Sequence, residues 1–225
     1  MSAILEDATK LLLMVFYLVL LVDRINQRNL PLILIGAGLP QLVGLAGKAK
    51  SYAERLFDFP RIGPLSTVDV QNALQGPLRR ERVEFTTDAL AEVIKITEGY
   101  PYFLQEWGYH AWNLAPKSPI ELDIIRKSHD AVTSRLDESF FQVRFDRLTP
   151  SEKDYLRAMA DLASPRRSGD IAALLGVKGT SVAPRRSVLI AKGMIYSPAH
   201  GDTEFTVPLF DQFMKRIMPN FKRHT

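Results

Sequence analysis

The chain has no cysteine in 225 residues. That excludes disulfide scaffolds, thiolate metal sites and cysteine nucleophiles, and it fits a reducing, cytoplasmic setting. Histidine is scarce. His110, His129, His200 and His224 stand far apart, without the short spacings that bring imidazoles onto one ion, so no metal site is expected. No nucleophile–base or paired-carboxylate arrangement stands out either. The longest apolar run, "LLLMVFYLVLLV" at 11–22, covers twelve residues, against about 20 for a membrane-spanning helix. Glu6 and Asp7 precede it, where a secretory leader would carry basic residues. The run reads as a buried helix or strand. Attachment to a membrane through its uniformly apolar surface is the minor alternative.

Two nucleotide-binding signatures are also missing. "LILIGAGLPQLVG" (32–44) has the look of a strand entering a phosphate loop. A Walker A loop, however, needs Gly, four residues, then Gly-Lys-Ser/Thr, so that backbone N–H groups, the Lys ammonium and a hydroxyl surround phosphate and magnesium. Around Gly47-Lys48 the first glycine is replaced by Leu42 and the hydroxyl by Ala49. A dinucleotide fingerprint needs Gly-x-Gly-x-x-Gly. Gly36 and Gly38 fit it, but Gln41 occupies the third place and Pro40 intrudes. Asp23 after the apolar run is a single acid, not the acidic pair of a Walker B strand.

What is present is an ordinary globular composition, 46% hydrophobic and 24% charged, long enough for one large domain or two to three small ones. Charge is uneven. Residues 146–225 hold 13 Lys and Arg against 8 Asp and Glu, and the rest of the chain holds 16 against 17. A basic last third is compatible with a polyanion such as double-stranded DNA.

"LPLILIG" (Leu30–Gly36) reads as a buried strand. Ser66 with Asp69 three residues on predicts a helix start, followed by Val68, Leu74 and Leu78 at helical spacing. A second helix is capped by Thr86 or Thr87 and stops near Gly99. A third carries Pro101 in its first turn and groups Phe103, Trp107, His110 and Ala111 on one face. A fourth runs from about Asp123 to Phe141. Thr149, Pro150 and Glu152 form a strong capping-box start. "SGDIAALLG" is a short helix ended by Gly176, and Thr180 to Gly193 is a third helix with Pro184 in its first turn. "MIYS" and "TEFTVP" make a hairpin, and "LFDQFMKRI" is a terminal helix. Helix, short helix, turn, helix, hairpin is the order of a winged helix-turn-helix. The expected class is mainly α with a small α/β remnant. Residues 1–64 would be the remnant of a core, 65–145 a helical domain and 146–225 the winged helix.

From about Asn26 onward the order strand, "GAGLPQL", "YAERLFDF", "GPLS", helical block, "GYPYFLQ", winged helix resembles the C-terminal half of bacterial and archaeal P-loop ATPases of the AAA+/STAND type, related to the origin-recognition ATPases. The resemblance implies that Leu32–Gly36 is a late core strand and that residues 65–145 are the lid. Arg55 in "SYAERLF" would lie near the γ-phosphate as an arginine-finger-like residue. Gly99 and Pro101 in "GYPYF" would lie against the nucleotide. The family uses ATP and magnesium, and neither is demonstrable for a chain without Walker A and Walker B. The polar sensor-1 position is filled by Gly36 and Ala37, and Gln105 stands where an arginine would follow Pro101. The partner would be the missing ATPase core or a second copy.

If instead the winged helix is an autonomous DNA-binding regulator, its third helix enters the major groove. The candidate contacts are Lys178, Thr180, Ser181, Arg185 and Arg186, with His200 at the wing tip and Arg166 and Arg167 on phosphate.

Overall fold

The computed structural model describes residues 2–38, 57–60, 62–199 and 201–221. It divides into two compact units, Met1–Ile62 and Gly63–Thr225.

In the first unit helix α1 spans Ser2–Gln27. The apolar run is therefore helical, but it is not buried all round. Val19 is 1% exposed, while Leu13, Met14, Tyr17 and Leu21 lie more than half in solvent. Residues 31–38 have no regular structure, and Ile35 is 90% exposed. This corrects the expected Leu30–Gly36 strand. A strand exists only when a neighbour takes up its N–H and C=O groups, and no strand is present among the described residues of this unit. The segment carrying Arg55 lies outside the described residues.

The second unit begins with α2 (Thr67–Arg80). Ser66 Oγ accepts the Asp69 N–H at 3.3 Å, the cap that the sequence announced. Helices α3 (Thr87–Thr97), α4 (Pro101–Leu114) and α5 (Leu122–Leu136) follow. Their buried faces bring Val70, Leu90, Val93, Phe103, Trp107, Ala111, Ile125 and Val132 into one core. His110 sits at the rim of that face, half-buried. Thr86 N–H donates to the Ile120 carbonyl at 3.0 Å and Ile120 N–H to that of Glu84 at 2.8 Å, so a short parallel bridge ties the loop before α3 to the loop before α5.

Beyond α5 the backbone widens into a π-helical turn, Asp137–Phe141, and closes with α6 (Gln142–Phe145). The extra residue in such a turn separates neighbouring side chains. Phe140 stays half-buried near Tyr100 and Tyr102, while Phe141 is buried against Phe210 and Phe213, with ring centroids 5.6 and 5.3 Å away. These rings join the two halves of the unit. The expected boundary at 145/146 thus falls inside one continuous core, which runs from Val70 to Met214.

The last third holds α7 (Pro150–Ala160), β1 (Arg166–Arg167), α8 (Ser168–Leu174), α9 (Gly179–Ala191), β2 (Ile195–Tyr196), β3 (Asp202–Phe205) and α10 (Phe210–Ile217). The Thr149 capping box is complete. Thr149 N–H donates to Glu152 Oε2 at 2.7 Å and Glu152 N–H to Thr149 Oγ1 at 3.4 Å. Pro184 lies inside α9 rather than in its first turn. The three strands form an antiparallel sheet in the order β1-β3-β2, with Arg166 opposite Thr203 and Ile195 opposite Phe205. Strand β1 had no signal of its own. Two residues cannot show an alternating pattern, and they become a strand only through β3.

Candidate nucleic-acid interface

Helix α9 is anchored by Val182 and Leu189, both buried. Thr180, Ser181, Ala183, Pro184 and Ser187 are exposed. The side chains on the outer face are small, so another surface can approach the backbone closely. Lys178 is the N-cap residue. Ser181 Oγ donates to the Lys178 carbonyl at 2.6 Å, which fixes the first turn. Among the described residues neither the Lys178 ammonium nor the Arg185 guanidinium has a hydrogen-bond or ion-pair partner.

Arg186, one residue on, is fully engaged. Its Nε donates to Thr203 Oγ1 at 3.0 Å, and its Nη2 donates to Ser197 Oγ at 2.6 Å and to the Asp202 carbonyl at 2.9 Å. Arg186 therefore fastens the β2–β3 turn to α9. Below it lies the buried Tyr155. Burial raises the pKa of its phenol, while Thr203, Ser168 and the Arg186 charge act the other way. Nothing in the sequence separates Arg185 from Arg186. Their roles diverge because neighbouring helical residues point about 100° apart.

The other candidates divide in the same way. Arg166 is held by an ion pair with Glu204 and by Asp211 Oδ2 at 3.5 Å, and its guanidinium lies over the Phe205 ring. Its charge is already matched. The Arg167 side chain is 71% exposed and only 4.0 Å at best from Asp202. His200 lies outside the described residues. The structure thus brings Lys178, Thr180, Ser181 and Arg185 together on one helix and leaves Arg167 exposed on the neighbouring strand, with only the long 4.0 Å ion pair to Asp202.

Gly99 and Pro101 lie in the turn between α3 and α4. Gly99 has φ +72°, and a Cβ there would stand 2.4 Å from the Leu65 carbonyl oxygen. The Gly99 carbonyl accepts the Leu65 N–H at 2.9 Å. Glycine is required here by packing as well as by backbone conformation. Pro101 is exposed at the first position of α4. Beside this turn is a patch that the sequence did not reveal. Tyr102 stacks on Phe140 at 5.0 Å between ring centroids, and the Arg144 guanidinium lies 3.7 Å from the centre of the Phe140 ring. Burial lowers the pKa of Arg144 from its usual value, with Tyr100 partly offsetting this. Tyr100 and Tyr102 were legible next to Gly99, but the π turn that delivers Phe140 was not. Phe103 and Trp107 are core.

Among the described residues no group of acidic or imidazole side chains could hold a metal ion, and no helix is long and apolar enough to cross a membrane.

Against known proteins, a family model described as "Domain of unknown function (DUF8462)" matches residues 138–214, less than half of the chain. No curated protein matches. Two solved structures of mutant forms of RuvB from Thermotoga maritima show a weak similarity, each with a TM-score of 0.37. Their identities are 16% and 15%, and each match covers 72% of this chain. The chain spans about half of those structures, 53% of each.

Proposed function

We propose that the chain is the helical-lid and winged-helix portion of an ATP-binding AAA+/STAND-type ATPase, and that it hydrolyses no ATP by itself. One observation carries the reading. The chain has no Gly-Lys-Ser/Thr loop, yet residues 63–225 build a helical block and a helix–strand–helix–helix–hairpin array on one core. Without the loop there is no cradle for the β- and γ-phosphates and no hydroxyl for magnesium. Residues 65–145 act as the lid, with Gly99 and Pro101 facing the nucleotide of the complete ATPase, and Arg55 serves its γ-phosphate. The test is a labelled-ATP titration of the purified chain. Micromolar binding with turnover by the chain alone would overturn the second clause.

A second reading is favoured by the face of α9. Lys178, Thr180, Ser181 and Arg185 are available there for duplex DNA, with Arg167 on an adjacent phosphate. Lysine and arginine without internal partners release counterions when they bind phosphate, so affinity falls steeply with salt. Anisotropy of a labelled duplex across a salt series tests this reading. The absence of binding even at low salt would end it.

A further inference from the structure

We propose that the end of α2 and the loop after α4 form a second nucleic-acid surface, a pocket that holds backbone phosphates of a single strand. It uses no residue of α9 and stands apart from the duplex reading given to that helix. The pocket has a volume of about 470 Å³, and Gln75, Arg79, Arg82, Glu84 and Ser118 are among the residues that line it. Gln75 fixes one wall. Its Oε1 accepts the Phe85 N–H at 3.4 Å, and its Nε2 donates to the Phe85 carbonyl at 3.3 Å. Ser118 Oγ accepts the Glu84 N–H at 3.3 Å, which leaves the hydroxyl hydrogen for a ligand oxygen. Among the described residues neither the Arg79 nor the Arg82 guanidinium has a hydrogen-bond or ion-pair partner.

The backbone at Arg82 points the same way. Helix α2 closes with Arg82 N–H donating to the Arg79 carbonyl at 3.3 Å and Val83 N–H to that of Leu78 at 3.1 Å. Arg82 has φ +58°, and glycine is the usual residue at this place in such a helix end. An arginine here bears a conformational cost that its side chain recovers through no bond among the described residues. A phosphate would supply that bond, because the planar guanidinium matches two phosphate oxygens at once. Charge selects an anion, and its distribution selects a strand. Arg79, Arg80, Arg82 and Lys117 flank the pocket against Glu81 and Glu84, so the cations extend past one phosphate toward its neighbours. Tyr109 and Trp112, in the last two turns of α4 before Lys117, are 65% and 42% exposed. Exposed rings give unpaired bases a stacking surface. A phosphopeptide has no use for it, and a duplex keeps its bases stacked on one another.

Anisotropy of a labelled oligothymidylate of about 20 nucleotides, titrated with the full chain at low salt, tests the proposal. Binding is expected. Arg79→Ala with Arg82→Gly should weaken it about tenfold and make the salt slope shallower by about 1.4, the share of two phosphate contacts on a single strand. Both positions are exposed, and glycine suits the backbone at Arg82, so this variant should melt no lower than the parent. Glu84→Gln removes an opposing charge and should tighten binding about threefold, a gain that misfolding does not produce. Trp107 is buried, so quenching of tryptophan fluorescence by the strand should disappear with Trp112→Phe. Lys178→Ala with Arg185→Ala should leave strand binding within about twofold, which separates this pocket from α9. No binding at low salt would overturn the proposal, as would unchanged affinity in the Arg79 and Arg82 variant. So would weaker binding by Glu84→Gln, loss of strand binding with the α9 variant, or a tighter hold on a duplex or a phosphoserine peptide than on the strand.

Discussion

Glu152 is the residue at which the fold of the last third can be tested most sharply. Its carboxylate oxygen Oε2 accepts from Thr149 N–H at 2.7 Å and from Lys192 Nζ at 2.7 Å. Lys192 Nζ also donates to the Arg147 carbonyl at 3.0 Å. One carboxylate thus starts α7 and holds the end of α9. Glu152→Ala removes the reciprocal half of the capping box, a loss of about 1 kcal/mol. It also strips Lys192 of its counter-charge. Removing one partner from a fully buried pair costs about 3–5 kcal/mol, but the Lys192 side chain is 33% exposed and can turn to water, so about 1–2 kcal/mol is the appropriate share. The total is about 2–3 kcal/mol, or about 4–12 °C in Tm for a unit of this size. Glu152→Gln keeps an acceptor for Thr149 and loses only the charge, so it should cost about half as much. Burial opposes the charge on Glu152, but hydrogen bonds from Lys192 and Thr149 outweigh it and hold the pKa below that of an ordinary glutamate. A carboxyl group with a depressed folded pKa stabilises above its unfolded pKa and loses that contribution as pH falls through the folded value. The gap between the parent and Glu152→Gln should therefore be full at neutral pH and close as the pH falls through that lowered pKa. Urea unfolding at several pH values measures it. A Glu152→Ala cost under about 0.5 kcal/mol, within the range of a neutral surface change, would refute the reasoning.

Gly99→Ala combines a left-handed backbone with a contact of 2.4 Å to the Leu65 carbonyl, and thermal melting should show a loss of at least about 2 kcal/mol. Phe141→Ala should cost about 3–5 kcal/mol and lower a single transition for the whole 63–225 unit, followed by the fluorescence of Trp107. Two separated transitions would contradict the shared core. Arg185→Ala should leave stability within about 0.5 kcal/mol and make the salt slope of DNA binding shallower by about 1. Arg186→Ala should lose about 2 kcal/mol of stability with its three hydrogen bonds. Stability losses in the reverse order would contradict the roles assigned to the two arginines.

Local signals in the sequence carried well into the structure. Ser66 with Asp69, Pro101, and Thr149 with Glu152 each act within one helical turn, and each stands at the start of the helix it announced. Gly99 was legible as a stop, although its contact with Leu65 was not. Features decided by distant partners were not legible. The Leu30–Gly36 segment has strand-like composition, but strand formation depends on neighbours. Arg166 and Arg186 looked like free cations until the chain folded Glu204, Asp211 and Thr203 against them. The π turn at Asp137–Phe141 has no composition of its own, yet it places Phe140 and Phe141 on different surroundings. For the candidate interface, the sequence named one helix, and only packing shows which of its cations have no partner among the described residues.

The central proposal is that residues 65–145 and 146–225 are the lid and the winged helix of an ATPase, in a sequence that shows no Gly-Lys-Ser/Thr loop. The direct measurement is phosphate release from labelled ATP by the purified chain with magnesium present. The account predicts no turnover above buffer. Turnover that survives repurification and is lost on Arg55→Ala would contradict it.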